Sequence, residues 1–407
     1  MSVTILNVSQ NYFMRGGSDR YFFGLGEMLQ QHGHTVIPFT SRQPLNLPNR
    51  WSDYFPAGVN FEAPGIRDVV RYVYSRSAAT ALRRLLKTHP VDLAHLHIYY
   101  GQLTGAILPV LRDAGVPIVQ TLHDFKLVCP VYSLQCRGQV CEACRGHQFW
   151  RASVRRCNRG SLARSALSTI ESYASRLLGS IDLIDHFISV SNFQRQKLIE
   201  LGVPSGRIST IYNYANTRSF GHPTTPGDYL LYFGRIELLK GVISLVEAAR
   251  RSPGVRLVIA GHGEAVREIQ SLVTRHRVTN IELVGFKQGQ ELEQLVRGSI
   301  ATILPSVGYD NCPMAILESY TFGKPVIGAR IGGIPELITD GVDGFVFSPG
   351  DSDALAALMV WMNEHREQAV TMGMAGLRKV RNQFNSRTHF QRIAAVYASL
   401  GVPIGNA

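Results

Sequence analysis

Two carboxylates flank what reads as a helix start. Asp310 lies in a loop and Glu318 lies beyond it, with Pro313 between them. Proline can open a helix, because a first-turn residue needs no amide hydrogen. Met314, Leu317 and Thr321 then recur at helical spacing, and Gly323 can close the helix in a left-handed conformation. A helix N-terminus presents unpaired N–H groups and a partial positive charge, which suits an anion such as a pyrophosphate. Ionised carboxylates accept paired hydrogen bonds from neighbouring hydroxyls, and sugars and riboses offer such pairs. The plainer reading is a solvated loop Asp and a surface helix Glu.

The cysteines form a second group. Cys129, Cys136, Cys141, Cys144 and Cys157 follow one another as C-x6-C-x4-C-x2-C-x12-C, and Cys312 is the only other cysteine. In a reducing compartment a C-x-x-C pair reads as metal ligands rather than a disulfide. Four thiolates suit tetrahedral zinc, which can fold a small segment by itself. One cysteine is then spare, and His147 is a further candidate ligand. An iron–sulfur cluster and reduced thiols in an ordinary insert are the other readings. The same stretch is basic: residues 137–164 hold seven arginines against Glu142 alone, with Phe149 and Trp150 among them. That composition fits an anionic membrane surface or a lipid diphosphate. A solvated loop is the alternative.

These residues need strands and helices to place them. Val3–Val8, His34–Phe39, Val91–Ile98, Ile118–Leu122, Asp185–Ser191 and Ile208–Tyr212 read as strands. So do Tyr229–Phe233, Arg256–Ala260, Ile281–Phe286, Ala301–Leu304, Pro325–Gly328 and Gly344–Phe347. Helical patterns lie between them, the motif of two doubly wound α/β domains. Gly16 and Gly17 open the first helix, where Phe22, Leu25 and Leu29 mark a buried side. G-x-G-x-x-G is missing there, which argues against a dinucleotide. His123 ends the fourth strand, where ligands bind in open α/β sheets; a satisfied structural histidine is the alternative. Gly261 and Gly263 let backbone approach a flat base. Residues 66–88 read as one basic helix with Val69, Val70, Val73, Ala79, Leu82 and Leu85 as its apolar side. It is either a packed helix with a solvated basic face or a membrane-surface element.

Composition bounds the rest. A chain of 407 residues exceeds one usual core. No apolar run of about 18 residues predicts a transmembrane helix. The start lacks a basic n-region, so a cytoplasmic location is expected. The net charge of +12 attracts polyanions, but no nucleic-acid module is visible, so no nucleic-acid partner is expected.

Three motifs, in order, carry a resemblance. F-G-R-I-E-L-L-K-G (233–241), D-N-C-P-M-A-I-L-E-S (310–319) and F-G-K-P-V-I with G-G-I-P-E (322–336) resemble the donor site of retaining glycosyltransferases of family four. The pattern there is two glutamates separated by seven residues; Asp310 takes the first place, one methylene shorter. The resemblance implies the GT-B fold, two Rossmann-like domains facing a central cleft. It implies an acceptor-side domain over 1–213 with a basic insert at 129–160, a linker at 214–227, a donor domain over 228–385 and a last helix, 386–407, crossing back. Only a subset of such transferases carries a cysteine-rich insert.

By that resemblance the enzyme moves a hexosyl group from a nucleotide-diphosphate sugar to a glycan or lipid-linked glycan, in making bacterial exopolysaccharide or lipopolysaccharide. Arg235, Lys240, His123 and Asp310 would be catalytic. Gly16, Gly17, Gly261, Gly263, Asn311, Cys312, Pro313, Met314 and Glu318 would bind the donor. Arg235 supplies planar bidentate bonds and Lys240 a compact charge, so no catalytic metal is expected, and zinc at the cysteines would be structural. Association with the inner membrane face is the matching location. Open alternatives are a nucleotide-sugar epimerase of the same fold and a non-catalytic sugar-nucleotide-binding protein. A basic nucleic-acid binder is the remaining one.

Overall fold

A computed structural model describes residues 2–215 and 227–405. The expected linker at 214–227 therefore lies almost wholly outside the described residues. The chain divides into two compact units. Residues up to 137, 141–212 and 389 onward form the first, and residues 138–140 and 213–388 the second.

The first unit is built on six parallel strands: β1 (Thr4–Val8), β2 (Thr35–Phe39), β3 (Leu93–Leu96), β4 (Ile118–Leu122), β5 (His186–Ser189) and β6 (Ile208–Thr210). Their order is β2-β1-β3-β4-β5-β6. β3 and β4 are buried along their whole length, as expected of parallel strands covered on both faces. Helix α1 (Gly17–Gln31) follows β1 and buries Phe22, Leu25 and Leu29.

The expected single helix over 66–88 is two helices, α2 (Ile66–Val73) and α3 (Arg76–Thr88). Ser75 divides them. Its amide donates to Thr104 Oγ1 at 2.9 Å, and its hydroxyl caps α3 by accepting from Ala78 N at 3.3 Å. α3 packs through Ala79, Leu82 and Leu85, whereas α2 buries no residue. The cysteine-rich stretch includes α4 (Trp150–Val154) and leads into α5 (Leu162–Leu177).

The second unit repeats the plan with β7 (Tyr229–Arg235), β8 (Leu257–His262), β9 (Ile281–Gly285), β10 (Ser299–Leu304), β11 (Val326–Ala329) and β12 (Gly344–Phe347). The order β9-β8-β7-β10-β11-β12 is the doubly wound dinucleotide-fold order, whose switch point falls between β7 and β10. Helix α6 (Met314–Thr321) follows β10. Pro313 is its N-cap rather than its first residue, and Gly323 closes it with φ +66°.

Candidate functional site

The predicted residues fall into one set per unit. In the second unit Arg235 ends β7 and Lys240 follows it, while Ser306 and Asp310 follow β10. These are the two strands of the switch point, so the two loops are neighbours. Val307 and Gly308 both donate their amides to Leu239 O, at 2.9 and 3.1 Å. Gly241 is required where these loops meet. It has φ +70°, and a Cβ there would stand 1.8 Å from Pro305 O.

Lys240 Nζ lies 2.5 Å from Asp310 Oδ1, and Ser306 Oγ donates to Asp310 Oδ2 at 2.6 Å. Burial alone would raise the Asp310 carboxyl. The Lys240 charge and hydrogen bond, then Ser306 and Arg235, outweigh it and hold the carboxyl below its usual range. The Asp310 carbonyl accepts from Gly333 N at 2.7 Å, which ties the G-G-I-P-E turn to the same loop. Arg235 is exposed and bonds Glu237 at 2.8 Å.

Asn311, Pro313, Met314 and Glu318 are half-buried at the start of α6, and Cys312 is buried. Burial pushes the Cys312 thiol up to about 12. Asn213 Nδ2 donates to Cys312 O at 3.0 Å. Gly261 and Gly263 lie where backbone packs closely: a Cβ at Gly261 would stand 1.9 Å from Gly234 O, and one at Gly263 2.2 Å from Ile236 O.

In the first unit Gly16 is the N-cap of α1 and Gly17 its first residue. Asp19 Oδ2 accepts from Arg15 N and Gly16 N at 3.1 and 3.0 Å, so an acid already faces that helix start.

His123 follows β4 and belongs to a chain of polar groups along the carboxyl edge of β1, β3 and β4. Asn7 sets the direction of that chain. Its Nδ2 donates to Phe22 O at 3.1 Å, so its Oδ1 is the atom that accepts from His97 Nε2 at 2.9 Å. His97 Nδ1 is then the acceptor nitrogen, and the proton in the 3.1 Å contact belongs to His123 Nε2. His123 therefore carries Nδ1 as its acceptor nitrogen, fixed by hydrogen-bond assignment. Burial lowers His123 to about 4, and burial followed by His95 and His123 lowers His97 well below its usual range. Both rings are neutral at pH 7. Beside them, burial lifts the Asp124 carboxyl to about 6 despite bonds from Lys126 N and Tyr100.

Sequence reasoning missed Asn7, His95 and His97. The signal was H-x-H at the end of the apolar run that forms β3, since period-two spacing places both rings on one side. The rings do stack, with centroids 4.8 Å apart.

The cysteine segment gathers its thiols. Cys157 and Cys136 are neighbours. Arg155 Nη1 lies 3.6 Å from Cys141 Sγ, and Arg155 O lies 3.8 Å from Cys136 Sγ. Burial, then the neighbouring Cys129 and Cys141, raise Cys144 to about 12. Burial and Cys136 raise Cys157 further. All five are free thiols. Among the described residues, no three His, Cys, Asp or Glu side chains stand in position to hold a metal ion.

Comparison with known proteins extends this picture. The family model described as Glycosyltransferase Family 4 matches residues 15–219, and that described as Glycosyl transferases group 1 matches residues 216–379. The chain is 25% identical over 380 residues to the amylovoran biosynthesis glycosyltransferase AmsK of Erwinia amylovora, covering 88% of this chain and 90% of AmsK. Sucrose-phosphate synthase of Thermosynechococcus elongatus superimposes with a TM-score of 0.72 at 18% identity, covering 98% of this chain and 99% of the other. HepE of Anabaena, solved in complex with UDP-glucose, superimposes with a TM-score of 0.65 at 19% identity, covering 98% and 100%. These structural likenesses show the GT-B fold.

Proposed function

The chain belongs to Glycosyltransferase Family 4, and from that membership we propose that it is a retaining enzyme that uses a nucleotide-diphosphate sugar. That it is a glycosyltransferase follows from the family; donor, mechanism and acceptor are the proposal. The observation that carries it is the Lys240–Asp310 pair, a cation and a carboxylate 2.5 Å apart at the switch point and just before α6. Asp310 and the backbone of 311–314 would hold the sugar, and Glu318 the ribose. His123 is the sugar contact proposed in the first unit.

In the reaction the bond from the anomeric carbon to the diphosphate breaks. The acceptor oxygen bonds to that carbon on the same face, and its proton passes to a leaving-group oxygen. Lys240 and Arg235 stabilise the charge that develops there. The acceptor proposed is a hydroxyl of a lipid-linked glycan, in assembly of a bacterial surface polysaccharide. The relative named for amylovoran biosynthesis supports that choice.

Thermal melting against UDP-, GDP-, ADP- and dTDP-sugars tests the donor reading. A ligand at about 100 times its Kd stabilises by roughly 2.7 kcal/mol, so one nucleotide series is expected to raise the melting temperature by several degrees. Lys240→Ala is expected to abolish the rise. A panel without any shift would remove the reading.

Four of Cys129, Cys136, Cys141, Cys144 and Cys157 are proposed to bind a structural zinc. The support is their clustering and the backbone around them, not a ligand array already formed. Tyr132, Leu134, Arg137, His147, Arg156 and Arg159 all hold positive φ, six of the eight such non-glycine residues among those described. Each costs about 1–2 kcal/mol, and such strain persists only where something over-determines it. Metal analysis of protein purified under reducing conditions is expected to give about one zinc per chain, lost in Cys141→Ser with Cys144→Ser, which leaves fewer than four of the five thiols. Neither zinc nor iron after aerobic and anaerobic preparation would dismiss the site.

A further inference from the structure

Helix α5 is built inside out. Its buried residues are all polar: Ser165, Ser168, Thr169, Glu171 and Ser172. Three of its large apolar residues face out, Ile170 at 56% exposure and Leu177 at 88%, with Leu162 exposed at the helix start, while Leu167 and Tyr173 are half-buried. Helical spacing puts Ile170 and Leu177 on one stripe, opposite Ser168 and Ser172. The buried polar face is fully used. Asn158 donates to Ser165 Oγ from its amide and to Ser168 Oγ from Nδ2, both at 2.9 Å; Ser153 Oγ donates to Thr169 Oγ1 at 2.9 Å; Lys126 pairs with Glu171. The outward stripe is thus not an accident of a loosely packed helix.

Helix α2, which packs against α5, also leaves apolar residues outside. Ile66 is 85% exposed, and Val69 and Val70 are exposed beside it. Its polar residues are tied to the chain before it, where Arg71 Nη1 donates to Gly58 O at 3.2 Å and Asp68 accepts from Gly65 N and Asn60 N at 3.1 and 3.3 Å, and Tyr72 and Val73 are half-buried. Two neighbouring helices therefore leave a set of large apolar residues to solvent.

Charge identifies what would cover them. Between Trp150 and Leu178 the chain has six arginines and one acid, Glu171, and that acid is buried against Lys126. Arg67, Arg164 and Arg176 are exposed on α2 and α5. A second copy of the chain would bring these like charges together. An anionic bilayer meets both features, since apolar side chains enter the acyl boundary and arginines reach the head groups. Among the described residues no helix is long and apolar enough to cross a membrane, which suits docking on the surface. We propose that the outward faces of α2 and α5 dock this protein on an anionic phospholipid bilayer.

The full chain is sedimented with vesicles of phosphatidylglycerol and phosphatidylcholine, and with phosphatidylcholine alone, at about 0.1 M salt. Binding is expected to the anionic vesicles only. Ile170→Ser with Leu177→Ser removes apolar area without changing charge, and is expected to lower the bound fraction about tenfold at unchanged melting temperature. Arg164→Gln with Arg176→Gln is expected to lower it and to flatten its salt dependence. Equal binding to neutral vesicles, or unaltered binding by the serine pair, overturns the proposal. So does a dimer of the wild type that the serine pair dissociates, which would make a second copy the occupant. The readout is partition rather than turnover, so it stands or falls apart from the donor reading.

Discussion

Lys240→Ala is expected to lower turnover roughly a hundred- to a thousand-fold, the usual loss when one preorganised donor to a developing negative charge is removed. The side chain is three-quarters buried beside Asp310, so its ammonium is already oriented before a donor arrives. Interactions that tighten as the leaving group departs lower the barrier, whereas equal binding of ground and transition states does not. The loss is therefore expected in kcat rather than in KM alone. Unchanged turnover in a folded variant would sink the phosphate assignment.

The same substitution strands a buried carboxylate, and the two effects can be separated. Without Lys240, Asp310 keeps its Ser306 bond but loses its main compensating charge, at a cost of about 1–3 kcal/mol. Lys240→Ala with Asp310→Asn is expected to recover most of that stability and none of the turnover. The pH dependence has a definite sign. Asp310 is depressed in the folded protein. Its contribution is therefore present above the unfolded carboxylate pKa and is lost as pH falls through the folded value. The wild type is expected to lose this contribution in acid, and Lys240→Ala to lack that slope.

Local chemistry made most of the fold legible. Ile118–Leu122 and Gly344–Phe347 are strands at the predicted bounds, and others differ by a residue or two. Pro313 and Gly323 bracket α6 because their conformational limits act within a few residues. What stayed hidden depends on distant partners. The break between α2 and α3 rests on a bond from Ser75 to Thr104, and no local signal outweighs the continuous helical pattern across it. Lys240 and Asp310 lie in separate motifs, and nothing local pairs them. Their pairing needs the parallel register of β7 with β10, which brings together residues 70 positions apart. His97 looked like part of an apolar strand until Asn7 and His123 gave its ring a direction. The polarity of α5 could not be read at all, because a serine-rich face looks solvated until Asn158 and Lys126 are placed against it.

Glu171→Ala is expected to cause the largest loss of stability, about 3–5 kcal/mol. For a unit of this size that lowers its melting temperature by roughly 10 °C. Lys126 and Glu171 are both buried and in direct contact. Lys126 Nζ also donates to Pro130 O at 3.0 Å and to Ser172 Oγ at 3.2 Å. Removing the carboxylate leaves an ammonium with neutral partners only, so the cost is that of an uncompensated buried charge. Lys126→Met with Glu171→Leu is therefore expected to regain most of the loss, since replacing both charges removes their desolvation as well. Titration distinguishes the states. Burial alone lowers Lys126, and Glu171, joined by Tyr72 and Cys129, more than reverses this, so its folded pKa is raised. The pair's contribution is present below the unfolded lysine pKa of about 10.4 and is lost as pH rises through the folded value. In Glu171→Ala burial is left to act, the folded pKa falls, and stability is expected to rise with pH instead. The pair also matters to the site. The Lys126 amide donates to Asp124 Oδ1 at 2.9 Å, one residue after His123, so the ion pair fastens α5 to the loop that carries the histidine. A melting temperature within a degree or two of wild type in Glu171→Ala would show that this loop is held by other means.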